Sequence, residues 1–510
     1  MVSRIFGTVF EEAERLRGPR LRRSLQLVTA AWGFGAFFFA ATGGTALPEL
    51  AKELGGTPFF YGLLGAVPFL ATGIQLPVCW IIERTRRRKW LFVCCVGLQR
   101  LLWLAVAALP LLLPSGPEWR DVRLATLLLV YFLAFSLGAV GNPTWMGWMA
   151  DLIPPRIRGR YWAFRRRVGL LVSVPTALLS GWFIDRASSG SLGLPNGLAI
   201  VFTVAAICGT IDILLFALVP EIPKQPSEVR LTWTNLVLSP LRDRSFRRYL
   251  YFSTLLLFST GGMIGHFLQR NLREVVQMSN MTVNVVLLIA PSVGWYLSCG
   301  WWGRACDRWG NRPVLIVAST CVIPLAAMWC LITPGLWWVG PLIPLAGGMA
   351  WSGLELASTN IMLGFAEGGR LSSYQAIGSI VAGIGGVCGP LLAGTIAQVL
   401  TGWSVRIGPL TLVNYHVLFL LSSLLRCLVV PLARRLEEPG ARPARDVLRL
   451  TAGNVFNATR SFVLMPIRMV GWPVRATYRL RNGRGDNDGA DESFESPTKH
   501  ATSRSQRAED

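Results

Sequence analysis

The sequence predicts an all-α membrane protein with twelve transmembrane helices in two pseudo-symmetric six-helix bundles. Of the 510 residues, 52% are hydrophobic and only 15% are charged, which is too apolar for an ordinary soluble domain of this length. Apolar runs of about 20 residues, each long enough to cross roughly 30 Å of hydrocarbon, recur in two groups of six. We therefore expect the chain to lie in a bilayer.

The elements follow in order after a basic N-terminal arm, residues 1–24. The first predicted bundle is 25–219, and its six runs are 25–47, 58–82, 90–113, 124–149, 168–187 and 198–219. A polar, arginine-rich connector at 220–248 separates it from the second predicted bundle at 249–435. The six runs of the second bundle are 249–269, 281–302, 313–332, 336–363, 375–400 and 411–433.

The distribution of basic residues predicts the orientation. With the N-terminus inside, 41 of the 50 Lys and Arg fall in cytoplasmic segments and 7 in outside loops. By the positive-inside rule, both termini are expected in the cytoplasm of a multi-pass protein of the plasma (inner) membrane. A formal charge of +22 would suggest nucleic acid as the partner of a soluble protein, but this topological placement argues against it.

No cleavable signal peptide is apparent, because the first 24 residues are charged and the first apolar run already has full span length. The ten cysteines fall in spans or on the predicted cytoplasmic side, so neither a disulfide framework nor a metal site is expected. No nucleophile with a base, no metal cluster and no phosphate-binding G-x-x-x-x-G-K-[ST] loop stands out. The chain is therefore not expected to be an enzyme or to carry a cofactor.

The short charged loop after the eighth run carries the pattern G-x-x-x-D-R-x-G-x-R, made by Gly303, Asp307, Arg308, Gly310 and Arg312. Gly303 allows two helices to approach closely, and Asp307 can accept hydrogen bonds from a helix N-terminus. The arginines can pair with carboxylates. These residues indicate a gate between helices.

A degenerate copy of this pattern follows the second run, where Glu83 and Arg84 take the place of the acid and the first arginine. Because Cys79 and Arg86 replace the two glycines, the geometry of this first gate is expected to differ. A second repeat, Gly-Arg, precedes the fifth and eleventh runs at 159–160 and 369–370. Both repeats indicate a duplicated chain.

The loop pattern resembles the signature of the major facilitator superfamily, and residues 142–161 resemble a bacterial branch of it. The resemblance covers about 20–437 and implies a monomeric secondary active transporter of a small organic solute that works by alternating access. It implies that Asp307 caps the start of the fifth helix, near 160–164, when the inner gate is closed. The alternative is a non-transporting membrane sensor or scaffold with the same fold.

Two ionisable residues within spans are expected to pair. Arg100 lies about 11 residues from the inner end of the third run and Asp212 about 8 from that of the sixth, so their depths differ by only about 5 Å. We interpret them as a structural ion pair, with proton coupling as the alternative.

Glu355 lies in the tenth run, one of the four helices that line the cavity in the family that the chain resembles. It is the first candidate for a substrate or proton-coupling group, against a structural hydrogen bond. Trp351, one turn earlier, could stack on a substrate ring. His266, Asn142 and Gln75 are further cavity candidates, and His266 could instead donate one hydrogen bond between helices.

The remaining features concern packing and the tail. A glycine-rich run at 383–394 lies inside a span, so close helix packing explains it better than a nucleotide loop. Residues 436–482 interleave arginines with large apolar residues, which favours an amphipathic segment on the anionic inner leaflet over disorder. Residues 483–510 are predicted to be disordered. Substrate, direction and coupling ion remain open.

Overall fold

The computed structural model describes residues 18–75, 77–78, 88–114, 116–221, 238, 240–365, 371–408 and 410–438. This part of the chain is almost entirely helical. Its α-helices, in chain order, are α1 (Gly18–Thr42), α2 (Ala46–Glu53), α3 (Pro58–Ala71), α4 (Arg88–Leu112), α5 (Arg120–Leu152), α6 (Pro155–Ser189), α7 (Leu194–Ala217), α8 (Arg244–Leu257), α9 (Met263–Glu274), α10 (Asn280–Asn284), α11 (Ala290–Trp309), α12 (Asn311–Ala327), α13 (Leu342–Gly364), α14 (Leu371–Val399) and α15 (Asn414–Arg434).

Helices occupy all twelve predicted positions. Nine helical stretches in the described ranges are long and apolar enough to cross a membrane, and a tenth apolar helix, Pro58–Ile74, is shorter. The other two positions hold α13 and the segment made of α8, a π-helical turn at Phe258–Gly262 and α9. A second π-helical turn, Val285–Ile289, joins α10 to α11. The all-helical membrane fold is confirmed, while the count of twelve crossings stays a prediction.

Local sequence determines several helix ends. Thr57 caps α3, because its side chain accepts a hydrogen bond from the N–H of Phe60, and Pro58 occupies the first helical position. Asp243 caps α8 in the same way, and Ser279 caps α10. Gly310 separates α11 from α12 with a φ of 96°, a conformation that favours glycine.

The two halves, residues 18–221 and 240–438, pack internally in similar ways. In the first half α4 packs against α5 and α7, and α1 packs against α6 and α7. In the second half α13 packs against α11 and α12, and α12 also packs against α15. The most extensive packing between the halves joins α3 to α14.

Glycines make this close packing of α3 and α14 possible. A Cβ added at Gly62 would lie 2.5 Å from the carbonyl oxygen of Pro390, and one at Gly394 would lie 3.1 Å from the Cα of Gly62. A Cβ at Gly386 would overlap the ring of Phe69. The interpretation of the run 383–394 as a packing surface is confirmed.

The hydrophobic core distinguishes the two ends of the helix bundle. At one end the largest cluster of buried side chains is continuous between the halves and includes Leu50, Leu272 and Val283. We call this the sealed end; it holds helix α2 with its flanking turns, 43–57, and the turns 190–193 and 275–279. At the opposite end, which holds the turns 153–154 and 310, the buried side chains form separate clusters within each half.

Several boundaries differ from the prediction. Helix α6 begins at Pro155 instead of 168, so it includes thirteen residues that were assigned to a loop. Two short strands, β1 (Ser404–Ile407) and β2 (Leu410–Val413), pair in antiparallel fashion, and the last helix begins at Asn414. Helices α1 and α8 extend into the predicted arm and connector. The predicted domain limits stay predictions. Of the tail segments at 436–482 and 483–510, all residues after 438 lie outside the described part of the chain.

Candidate functional site

Two adjoining cavities lie between the helices, one lined mainly by the first half of the chain and the other mainly by the second half. The larger has a volume of about 770 Å³ and is lined mainly by α1, α3, α4 and α5 of the first half. The smaller has a volume of about 510 Å³ and is lined mainly by α9, α11, α12 and α13 of the second half. Gly261 and Gly265 line both cavities. Gly265, with φ of 21° and ψ of −122°, kinks α9 where the cavities meet.

Arg100 and Asp212 form an ion pair on the wall of the larger cavity. Arg100 Nη2 lies 3.3 Å from Asp212 Oδ2, and the two residues are only 3% and 5% exposed. The guanidinium lies 3.8 Å above the ring of Phe38. Gly35 and Gly209 leave room for the pair, because a Cβ at Gly35 would lie 2.8 Å from Asp212 Oδ2. The structure brings the two residues together as predicted; their role stays a prediction.

Arg165 lines the larger cavity inside a group of tryptophans. Its guanidinium carbon lies 4.1 Å from the ring centre of Trp32, 4.7 Å from that of Trp145 and 5.4 Å from that of Trp162. Such contacts stabilise a cation but leave its charge in place. Gly169 allows Trp32 to approach α6, since a Cβ there would overlap the indole nitrogen. Arg165 therefore presents a positive charge to the cavity from a defined position.

The smaller cavity has two further arginines on its wall. Arg166 lies with its guanidinium carbon 3.3 Å from the ring centre of Trp295, which belongs to the other half. Arg426 is 7% exposed and donates from Nη1 to the carbonyl of Val322 at 2.7 Å. Its Nε has no hydrogen-bond partner in the part of the chain that the structure describes. No carboxylate is found among the described residues that line this cavity.

The sequence-predicted candidates are divided between the cavities. Gln75, Asn142 and His266 line the larger cavity, and Trp351 lines the smaller. Glu355 lines neither cavity. It is exposed, and its Oε2 accepts a 2.7 Å hydrogen bond from the indole N–H of the same tryptophan that contacts Arg166. All five are thus in or next to the cavities, and their roles in binding or coupling stay predictions.

Polar contacts join the two halves at the sealed end. The N–H of Thr45 donates to Asn284 Oδ1 at 3.0 Å, and Gln269 Nε2 donates to the carbonyl of Thr45 at 3.1 Å. Asn284 Nδ2 in turn donates to the carbonyl of Ala177 at 2.8 Å. A Cβ at Gly44 would lie 2.6 Å from Asn284 Oδ1, so this glycine permits the contact. The side chain of Asn284 thereby joins the turn before α2 and helix α6 to the second half.

Charged groups reinforce this end. Asp185 accepts hydrogen bonds from the N–H and the Nδ2 of Asn280, each at 2.9 Å, and from the N–H of Met281 at 3.1 Å. Asp185, near the end of α6, therefore caps the helix start that leads into α11. Arg273 donates from Nε to the buried Glu49 at 2.8 Å. Every hydrogen bond and ion pair that joins described residues of different halves lies at the sealed end.

The predicted gate loop at the opposite end makes no such contact with α6. Asp307 is exposed and forms no hydrogen bond or ion pair with a described residue. The close helix approach predicted at Gly303 is not present, because an added Cβ would meet nothing within 4 Å. Arg312 donates to a main-chain carbonyl at the end of α15, and Arg308 lies over its neighbouring tryptophan. The first-half copy, Glu83 and Arg84, lies outside the described residues.

The chain after α15 fixes two helix starts at the opposite end. Glu438 accepts hydrogen bonds from the N–H and Nδ2 of Asn311, at 2.9 and 2.8 Å, and so caps α12. Glu437 accepts hydrogen bonds from Arg248 and from Ser245, and these hold the pKa of its carboxyl below the ordinary value. These contacts stay within the second half, so they do not join the halves at this end.

Sequence reasoning missed Arg165, Arg166, Arg426 and Asp185. The two adjacent arginines were assigned to a loop, because the apolar run was started at 168. The Pro-Pro pair at 154–155 offered a usable signal, since proline at a first helical position marks Pro155 as a helix start. The arginines would then lie about 15 Å into the helix at 1.5 Å per residue. Asp185 lies near the end of the predicted run 168–187, and nothing local in the sequence indicates its partner in the other half.

A family model and several solved structures match this chain. The family model described as Major Facilitator Superfamily matches residues 29–366. No curated protein matches the sequence. Among solved structures, the nucleoside transporter NupG has a TM-score of 0.57 at 13% identity, with 82% of this chain and 99% of that chain covered.

Two further structures are similar. A bacterial homolog of the human lysosomal transporter Spinster, in an inward-facing and occupied conformation, has a TM-score of 0.57 at 15% identity and covers 82% of this chain and 95% of its own. A bacterial homologue of the iron transporter ferroportin, in an inward-facing state, has a TM-score of 0.58 at 13% identity, with coverage of 81% and 98%. At these identities the likenesses show the fold.

Proposed function

This chain belongs to the major facilitator superfamily, and we propose that it carries a small organic solute across the bilayer by alternating access through the two cavities between its halves. The observation that carries this conclusion is the asymmetry of the two ends. The halves share a continuous core and all their described polar contacts at the sealed end, and their core clusters are separate at the opposite end. This is the arrangement of a transporter with access from one side.

Transport requires the two ends to exchange roles. Rocking of one half against the other would break the contacts of Thr45, Asp185 and Arg273 and bring Asp307 to the start of α6. The polar groups at the sealed end can be hydrated once they separate, so that opening replaces protein hydrogen bonds by water hydrogen bonds. The two states can therefore lie close in free energy, as a cycle requires.

The basic residues suggest which side each end faces. Arg158, Arg160, Arg244, Arg247 and Arg308 belong to helix ends and turns at the opposite end. By the positive-inside rule that end would face the cytoplasm, so the structure would correspond to a state that is open to the inside. Residence in the plasma membrane, contact with anionic lipid and a monomeric state are part of the same proposal.

Proton coupling is the second part of the proposal. Glu355 is joined through Trp295 to Arg166, so a change in its charge would be felt where the two halves meet. A carboxylate in such a position can link protonation to the rocking motion. Asp212 and His266, on the wall of the larger cavity, are the alternatives.

Solute flux into proteoliposomes tests the proposal. The purified full-length chain should exchange a radiolabelled solute, identified by a stabilisation screen, faster than vesicles that lack protein. A chain that binds ligands without any flux under pH, sodium or counterflow gradients would instead be a sensor or scaffold. If solute accumulation depends on the pH gradient, transport is coupled to protons and not to another driving force.

A further inference from the structure

We propose that the solute is a small organic anion, and that Arg165, Arg166 and Arg426 bind its carboxylate or phosphate group. This inference rests on the proposed transport function and adds the substrate class. Arg165 lines the larger cavity, whereas Arg166 from the first half and Arg426 from the second half both line the smaller one. A group bound between them would contact both halves at once, as a transported substrate must.

The cavity walls carry more positive than negative charge. Among the described lining residues there are four arginines and one carboxylate. That carboxylate, Asp212, is already paired with Arg100. The other three arginines form no ion pair with any described residue, and Glu355 bonds Trp295 without contacting a guanidinium within salt-bridge distance. The cavity walls therefore have excess positive charge, which attracts anions and repels cations.

Arg426 is a buried cation on the wall of the smaller cavity. A guanidinium that is more than nine-tenths buried is costly unless its charge is paired and its donors are used. Among the described residues, Arg426 has one hydrogen-bond partner, the carbonyl of Val322, and none of them accepts from its buried Nε. Since this side chain lines the smaller cavity, an anion bound there would supply the missing negative charge and hydrogen-bond acceptors.

Arg165 and Arg166 are also held in position to bind an anion. Trp32 and Trp145 fix the first guanidinium, and Trp295 lies against the second. Packing on indole rings restricts the arginine side chains while the remaining N–H donors stay available. An anion would therefore bind to groups whose entropy is already reduced, which increases affinity.

The rest of the lining indicates the body of the solute. Around the arginines the walls are mainly apolar and aromatic, with Trp329 and Trp351 in the smaller cavity and Trp103 and Phe135 in the larger. Such walls suit a solute with an apolar or aromatic body beside its charged group. A highly hydrated inorganic anion would leave most of this surface unused.

Thermal stability of the detergent-solubilised full-length chain tests the class. The probes are 3-phenylpropionate and phenyl phosphate as anions, 3-phenylpropionamide as the neutral analogue and phenethylamine as the cation. A ligand that binds only the folded state raises the Tm by mass action. We expect at least one anion to raise the Tm and the neutral and cationic analogues to have no effect at equal concentration. Equal shifts for the neutral analogue, or no shift with either anion, would overturn the proposal.

A matched pair of variants locates the site. Arg166→Gln removes a cavity cation from an exposed position, where folding should be preserved, and should weaken anion binding by about tenfold or more because a charge-assisted hydrogen bond is lost. Arg167→Gln makes the same change on the next residue, which is exposed and lines neither cavity, and should bind as the unmodified chain does. Equal binding by both variants would show that the anion binds elsewhere.

A second measurement does not depend on the choice of probe ligands. Ser292→Cys places a thiol on the wall of the smaller cavity. Its reaction with an anionic methanethiosulfonate should exceed that with a cationic one, beyond the background of the native cysteines, and Arg166→Gln should reduce the ratio. A ratio that favours the cationic reagent refutes the inference. If the chain transports a neutral solute and anions do not inhibit this flux, the anionic substrate class is refuted and the transport function stands. If anions bind without any flux, the transport function is refuted and the anion site stands.

Discussion

The substitution Asp185→Asn should open the sealed end. Asp185 accepts two main-chain hydrogen bonds and one side-chain hydrogen bond from residues 280–281, and Arg273 Nη1 lies 3.9 Å from its Oδ1. Asparagine has nearly the same shape but no charge, and one of its two oxygen acceptors is replaced by an N–H₂ donor. That donor would face the N–H group of Asn280 or Met281, so at least one hydrogen bond is lost.

The size of the effect follows from these contacts. A hydrogen bond to a charged group contributes about 1.5–3 kcal/mol, and a charge at a helix N-terminus about 0.3–1 kcal/mol. The side chain of Asp185 is 27% exposed, so its interactions are partly screened by solvent. We expect a loss of about 2 kcal/mol in the sealed state. Since 1.4 kcal/mol corresponds to a factor of ten, the equilibrium should move about 30-fold toward opening.

Hydrogen–deuterium exchange of the chain in nanodiscs measures this shift. Loss of a cap could speed exchange locally at Asn280, so the informative peptide is 42–50, which meets the second half through Thr45 and Glu49 and which Asp185 does not touch. Its amides should exchange faster by a factor approaching the change in the opening equilibrium. Asp121→Asn is the control, because Asp121 is an exposed acid at the same end with no described partner.

One result would refute the reasoning. If Asp185→Asn speeds exchange only around 280–281 and leaves 42–50 within about twofold of the control, the cap is a local feature of one helix start. The sealed end would then depend on its shared core and on Asn284 instead.

Three further predictions concern the gate, the ion pair and coupling. Asp307→Asn should slow exchange at the sealed end and slow transport, because it removes the cap that holds the opposite end closed; unchanged exchange and flux would contradict this. Arg100→Leu and Asp212→Leu should each cost about 3–5 kcal/mol in stability, seen as a lower Tm, with partial recovery in the double variant, and equal loss in all three would exclude pairing. Glu355→Gln should abolish accumulation driven by a pH gradient while counterflow continues; normal accumulation would pass the coupling role to Asp212 or His266.

The fold could be predicted because the bilayer imposes a length and a composition on every crossing. Apolar runs located helices at all twelve positions, yet the ends of these helices were misplaced where polar residues lie within them. Helix α6 is the clearest example: Arg165, Arg166 and Arg167 interrupt the hydropathy pattern, although the helix runs through them from Pro155. Hydropathy detects contact with lipid, whereas Arg165 and Arg166 line the cavities instead.

The site was predictable only where depth along a helix determines a contact. Arg100 and Asp212 were paired correctly because both lie at similar depths on helices that pack together. Rotation about each helix axis was not predictable, so Glu355 was expected to line the cavity and instead bonds Trp295 beside it. The seal made by Asn284 and Asp185 depends on how two halves meet, and no periodicity within one helix records that arrangement.

The two ends of the α6 and α11 pair suggest how one pair of helices can serve both states. Near the end of α6, Asp185 caps the helix start that leads into α11; near the end of α11, Asp307 lies at the end where α6 starts. Only one of these caps is formed in this structure. In the proposed cycle the halves rotate as bodies, so that forming one cap requires breaking the other and each acid stabilises the state that the other destabilises. Two caps of about 2 kcal/mol each would nearly cancel, which keeps both states populated and leaves the bound solute to lower the barrier between them. The double variant Asp185→Asn with Asp307→Asn should therefore restore the exchange rate of 42–50 toward that of the unmodified chain, and failure to do so would show that the two acids do not oppose each other.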